Sequence, residues 1–481
     1  MRILLLNPPF RFKLSRDSRW PELTKSGTLY YPFWLSYVTG VLMETKHEPL
    51  LIDAVAKGWD EQKTINEIIK FDPSLLVIET TTPSITKDLK FVEELKKNLD
   101  VKVVLVGTHV SALPEETLKM TDTVDFIARK EYDYTIPEIA DCLENGKGLR
   151  KVPGISYKKN KKIFHNRDRP YIENLDALPF VSKVYKKFLD VEDYRYALAR
   201  HPMIQIWSSR GCPNMCTFCQ LPQTFSGRIF RTRSPENFVD ELEWIKENLS
   251  QIKEIFIEDD TFSVDKKRVM RICELIKQRN LDLVWSCNAR ADIPFDVLKN
   301  MKEAGCRMLI IGYESGNNDI LRNIKKGMTT EQAKKFTRDA KKLGLKIFGC
   351  FMIGLPGDTK KTVEQTFQFA KKLNPDMVFF QQAVPFPGTE FYEWCKKNSY
   401  LVVKNWDEWL DENGQLAHIV SYPNLTNKEI KRLRDELMIR FYSSPRWMAQ
   451  NILHNMDPDE IVRLANAAKD YLSYLLKRNM V

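Results

Sequence analysis

Two series of short apolar runs, each alternating with amphipathic segments, constrain this chain more than any other feature. The first series is RILLL (2–6), EPLLI (48–52), LLVIE (75–79), KVVLV (102–106) and VDFIA, which begins at 124. Between the runs, stretches such as EQKTINEIIKF and TKDLKFVEELKKNL space their apolar residues at helical intervals. Five βα units of this kind predict an α/β, doubly wound (Rossmann-like) parallel sheet over residues 1–145. Ligands of such sheets lie beyond the carboxyl ends of the strands, here the loops NPP (7–9), DAV (53–55), TTTPS (80–84), GTHVS (107–111) and ARKEYD (128–133). None is the GxGxxG that cradles a dinucleotide, so NAD and FAD are disfavoured.

Residues 146–200 are polar and proline-punctuated and read as a linker, with ISYKK and KIFHN flanking a turn as a small hairpin. The second series follows: MIQIWSS (203–209), EIFIED (254–259), LVWSCNAR (283–290), MLIIGYES (308–315), KIFGCFMIG (346–354) and MVFFQQAV (377–384). Six βα units predict a partial, TIM-like (β/α)6 barrel over 201–390, with its active site at the C-terminal strand ends. In SPENFVDELEWI, Ser234 is suited to cap a helix whose first position is Pro235. Residues 391–481 read as a helical, aromatic C-terminal region.

Composition removes several function classes. With 43% hydrophobic and 29% charged residues in 481, the chain is an ordinary globular protein with room for two or three cores. No apolar run approaches the roughly 18 residues of a membrane span. The opening MRILLLNPPF is too short, and too soon broken by proline, for a secretory signal. A cytoplasmic location with reduced thiols is expected. The 74 Lys and Arg exceed the 64 Asp and Glu, giving +10, yet segments such as KFVEELKKNLD and KEIKRLRDEL interleave the two signs. That pattern is a solvated helix surface, and no nucleic-acid partner is expected from it.

Against this background RGCPNMCTFCQLPQT gathers Cys212, Cys216 and Cys219 in a loop after the first barrel strand. A structural zinc site takes four ligands, and no fourth Cys or His stands nearby in sequence. Iron–sulfur clusters are held by thiolates, and three of them on a four-iron cluster leave one iron open. The six other cysteines stand singly in apolar or helical surroundings, as small buried hydrophobes do.

CxxxCxxC, with Phe218 before the last cysteine and a barrel around it, resembles the radical S-adenosylmethionine (SAM) superfamily. The resemblance implies a [4Fe–4S] cluster on the triad and reductive cleavage of SAM to a radical that abstracts hydrogen from substrate. It further implies SAM contacts at Phe218, Glu258 and Asp259, at Arg290, at Glu314 and Ser315, and at Gly354 in GLPGD. A carboxylate at these places also serves as an ordinary cap or loop acceptor.

The doubly wound domain ahead of the triad resembles the cobalamin-binding class of these enzymes. The resemblance implies cobalamin contacts at Asn7, Pro8, Asp53, Thr81, Thr108, His109 and Glu131. The histidine-ligating DxHxxG signature is absent, since Gly107 stands where aspartate precedes His109. SRWPELTKSGTLYYPFWLSYVTGVL, ARKEYDYTIPEIA, HNRDRPYIENLDALPF and CQLPQTFSGRIFRTRSPE are similar to radical SAM proteins of hopanoid biosynthesis. That likeness implies ring contraction or alkylation of a lipid or polyol head group, with an external low-potential electron donor. The C-terminal segments FYSSPRWMAQNILHNM and DYLSYLLKRNM are candidates for peripheral membrane contact. A carbon methyltransferase of another small metabolite is a second reading. An RNA methylthiotransferase is opposed by the presence of Cys142 alone in the first domain. A cobalamin sensor without activity is opposed by the charged strand ends of the barrel.

Overall fold

The computed structural model describes residues 1–23, 26–146 and 148–452. Five parallel strands, β1 (Arg2–Asn7), β2 (Glu48–Asp53), β3 (Leu75–Glu79), β4 (Lys102–Val106) and β5 (Phe126–Ala128), lie in the order β2-β1-β3-β4-β5. The order reverses between β1 and β3, which opens a crevice beyond Asn7 and Glu79. The strands are apolar along their whole length because both faces are covered. Leu4, Leu6, Leu76 and Ile78 pack on one face, while Ile3, Leu5 and Val77 face a core that continues into the second domain.

The expected hairpin forms as β6 (Ile155–Lys159) and β7 (Lys162–His165), with Asn160 and Lys161 both at positive φ in the tip. Its place is a finding that the sequence pattern did not carry. β6 pairs antiparallel with β5, so the hairpin forms the edge of the first sheet and the sheet has seven strands.

The second sheet contains β8 (Met203–Ile206), β11 (Glu254–Ile257), β12 (Trp285–Ala289), β13 (Cys306–Glu314), β14 (Lys346–Ile353) and β15 (Met377–Gln382). All are parallel and neighbours in chain order, which makes the six-stranded partial barrel expected from the βα alternation. A two-stranded ladder, β9 (Ser209–Arg210) with β10 (Arg231–Thr232), stands at its rim. Ser234 caps the helix Pro235–Asn248 through the Asn237 amide at 3.1 Å, with Pro235 in its first turn.

After the helix Glu390–Lys397 the chain runs irregularly to Thr426 apart from one 3-10 turn, Trp406–Trp409, then forms the helices Asn427–Tyr442 and Pro445–Ile452. The irregular stretch is a strap across both domains. Leu23 donates its amide to the Gly414 carbonyl at 2.8 Å, and Gln382 donates to the Leu416 and Ala417 carbonyls at 2.7 Å. Trp406 donates to Glu116 at 3.0 Å. Among the described residues no helix is long and apolar enough to cross a membrane. DYLSYLLKRNM and the end of FYSSPRWMAQNILHNM lie outside the described residues.

Candidate active site

The cysteine loop leaves β9 and returns through β10, and both ends are anchored on the first domain. Arg210 and Arg231 face each other across the ladder. Arg210 grips Asp133 through two bonds of 2.9 Å, and Arg231 grips Glu131 at 2.7 and 2.8 Å. All four side chains are buried, and the paired geometry supplies the hydrogen bonds that a buried charge requires. Gly211 sits at φ 82°, and a Cβ there would strike the Ile229 carbonyl, so the turn into Cys212 demands glycine. From β11, Asp259 accepts from the amides and hydroxyls of Ser208 and Ser209, while Asp260 accepts from the Gly211 amide at 3.2 Å and the Ser226 hydroxyl at 2.8 Å.

The thiols of Cys212, Cys216 and Cys219 are free, with Cys212 and Cys216 only 8% and 7% exposed. Burial pushes the Cys216 and Cys219 thiols up. Lys326 and then Arg290 are the cations that draw Cys216 back toward the thiolate a metal needs. Among the described residues no three His, Cys, Asp or Glu side chains converge as a single-ion site. A four-iron cluster places each thiolate on its own iron, so convergence on one point is not its requirement. Three soft thiols on one glycine-turned loop beside cations form a donor set that fits such a cluster.

The expected SAM contacts sort into two groups. Glu258, Arg290 and Glu314 lie at the rim around the cysteine loop. Glu258 is ion-paired with Arg19 and accepts from Gln205 at 3.3 Å, and burial raises its carboxyl to about 7 despite Arg19. Arg290 donates to the Lys326 and Gly327 carbonyls at 2.7 and 3.2 Å. Glu314, at φ 62°, receives Lys326 Nζ at 2.7 Å. Phe218 is half-buried against the core. The others are engaged within the protein. Asp259 is saturated by the serines, Ser315 bonds Thr366 at 3.1 Å, and Gly354 gives its amide to Asp358 and its carbonyl to Tyr422. Arg19, Asp260 and Lys326 escaped the sequence reading, because no spacing marks a residue whose partners lie far along the chain.

At the crevice of the first sheet Asn7 donates to Asp53 at 2.8 Å, and Tyr194 donates to the other oxygen of Asp53 at 3.0 Å. Arg16 fastens this edge by donating to Asn7 Oδ1, the Pro8 carbonyl and Asp88 at 2.7, 2.8 and 2.6 Å. Asp17 and Glu79 were also missed; burial raises both, Glu79 to about 7, and Tyr132 donates to Glu79 at 2.5 Å. Thr108 is half-buried at the start of its helix. His109 is buried instead of exposed on a loop, bonded to Thr82 at 3.2 Å with Trp406 edge-on at 4.9 Å, and burial lowers it to about 3. Glu131 is committed to Arg231 and to the Ile172 amide, and both of its oxygens are thereby engaged.

Thr80 Oγ1, Thr81 Oγ1 and His109 Nε2 are buried without a hydrogen-bond partner. Three orphaned polar atoms at one sheet edge suit a ligand with many amide groups. Gly107, at φ 113°, leaves the floor open where a Cβ would strike the Thr80 carbonyl. This edge therefore fits a corrin with its amide side chains.

Comparison with known proteins agrees with both halves. Residues 208–370 match the model of the radical SAM superfamily and residues 21–140 that of the B12 binding domain. An uncharacterized methyltransferase of Pyrococcus horikoshii is 34% identical over 460 residues, 95% of each chain. The chain belongs to the cobalamin-binding radical SAM family. It is also similar to the anaerobic magnesium-protoporphyrin IX monomethyl ester cyclase of Rubrivivax gelatinosus, 26% identical over 82% of this chain and 70% of the other. In fold it resembles the radical SAM methyltransferase TsrM of Kitasatospora setae, with a TM-score of 0.72 at 15% identity over 98% and 99% of the two chains. The cofactors of this family are a [4Fe–4S] cluster, SAM and cobalamin, and the protein is an enzyme.

Proposed function

We propose that this enzyme alkylates an unactivated carbon of a small molecule, using SAM as the methyl source. Cys212, Cys216 and Cys219 hold the cluster, Glu258, Arg290 and Glu314 line the SAM side, and Asn7, Thr81, Thr108 and the Gly107 turn bear the corrin. When bound, the cluster would supply the electron for reductive cleavage of SAM, and cobalamin would supply a methyl carrier. The protein's own part is to shelter the thiols, to fix the loop on the first domain and to keep the two cofactor edges facing one mouth. The helix Thr108–Ala112, at the corrin edge, packs against Gln220–Thr224, which directly follows Cys219. An external low-potential donor provides the electron.

The observation that carries this reading is the methyltransferase relative matching 95% of both chains. The similarity of four sequence segments to hopanoid-biosynthesis proteins supports a lipid or polyol head group as acceptor, with ring contraction as the alternative outcome on that substrate.

The test supplies reduced, reconstituted protein with SAM carrying a trideuterated methyl group, against separate lipid and aqueous extracts of a host lacking the gene. A trideuteromethylated product supports the proposal, and its fraction assigns the acceptor class. A product that gains no methyl label but has a contracted ring overturns the alkylation reading.

A further inference from the structure

SRDSRW places two arginines three residues apart, in the loop that leaves the corrin edge of the first domain. Arg16 is buried and holds Asn7, Pro8 and Asp88. Arg19 crosses to the barrel instead. It pairs with Glu258 and Asp260 and donates to the Glu258 and Asp259 carbonyls at 3.2 Å each. Three residues of chain reach no more than about 11 Å, so the corrin edge and the end of β11 are tied on a short tether.

Arg19 is not alone in joining the domains. The buried pairs Arg210–Asp133 and Arg231–Glu131 join them too. Arg19 differs from them in being 26% exposed at the side chain, while Glu258 beneath it is buried. Its main partner, Glu258, is the rim carboxylate placed above on the SAM side.

We propose that Arg19, carried by the cobalamin domain, is a positioning residue that keeps Glu258 an ionised, oriented acceptor for the N–H of the SAM amino group. The inference rests on the SAM-side assignment of Glu258. Other groups facing Glu258 cannot replace Arg19. Gln205 from β8 and Asn288 from β12 are neutral, Tyr30 is a half-buried and Tyr196 a buried phenol, and Asp260 on the same strand end is another carboxyl. Burial alone works against the carboxylate, and Arg19 is the largest influence opposing it.

The experiment measures SAM affinity by equilibrium dialysis on the cluster-loaded, cobalamin-bound protein from pH 6 to 9. Glu258→Gln is expected to weaken SAM about tenfold at high pH, as loss of a charge-assisted bond does. If it does not, the SAM-side reading of Glu258 fails and this inference falls with it. In Arg19→Gln the pH at which affinity declines moves upward by about one unit, so binding at pH 7 weakens about threefold and recovers at pH 9. Arg19→Lys keeps the wild-type profile, and cobalamin retention is the same in all variants. An Arg19→Gln profile without a shift, or a loss equal at every pH, overturns the proposal while leaving Glu258 in place.

Discussion

Lys326 donates to Glu314 at 2.7 Å in a buried ion pair, and the same ammonium is the strongest cationic influence on the Cys216 thiol. Burial pulls Lys326 down most, but Glu314 and Cys216 together outweigh it, so the ammonium is held charged. Gly312 makes room for the pair, since a Cβ there would meet the Glu314 carboxylate and approach Lys326 Nζ to 3.0 Å.

Lys326→Met therefore leaves a carboxylate buried without its partner and costs about 3 kcal/mol or more. The double variant Lys326→Met/Glu314→Gln regains most of that loss. Urea unfolding of the apo protein, with the two singles and the double, measures the coupling.

Alanine at all three of Cys212, Cys216 and Cys219 abolishes reconstitution of about four irons per chain and the formation of 5′-deoxyadenosine. Cys142→Ala and Cys395→Ala leave both unchanged. Iron analysis and product chromatography under dithionite check this.

Gly107→Ala forces a Cβ against the Thr80 carbonyl at a positive φ. The corrin edge deforms while the barrel retains its anchors. Cobalamin retained through gel filtration falls at least about tenfold, a shift of roughly 1.4 kcal/mol or more in binding. Cluster content is unaffected.

Glu79 is raised to about 7 from an ordinary value near 4.5, chiefly by burial. The folded state then keeps a proton that the unfolded chain releases, so its contribution is complete below about 4.5 and declines as pH rises to about 7. Glu79→Gln removes this part of the slope. The difference in urea midpoint between wild type and variant, compared at pH 5 and pH 7.5, reads it directly.

Much of the fold was legible because parallel strands covered on both faces must be continuously apolar, and runs such as LLVIE and KVVLV show it. Ser234 with Pro235 was legible because a helix cap is local. The hairpin at 155–165 was recognisable for the same reason, but its pairing with Phe126–Ala128 was not, since nothing in either segment names the other. The cysteine triad announced itself by spacing. Glu131 misled because a loop carboxylate looks the same whether it awaits a ligand or an arginine 100 residues onward. Arg19 is 239 residues from Glu258, and no periodicity links them.

The strap has a kinetic consequence. Gln415 reaches back to the Leu23 carbonyl across 392 residues of chain. Closing so long a loop from a disordered chain costs about 5 kcal/mol in entropy, so the contact is made after both sheets have shortened the path. The strap is then a late segment to close, and once closed it buries Trp409, Leu416 and Ile419 against Val384 and Phe386. It covers the end of the first sheet, where Trp406 lies edge-on to His109, so that edge is sealed only after both sheets have formed.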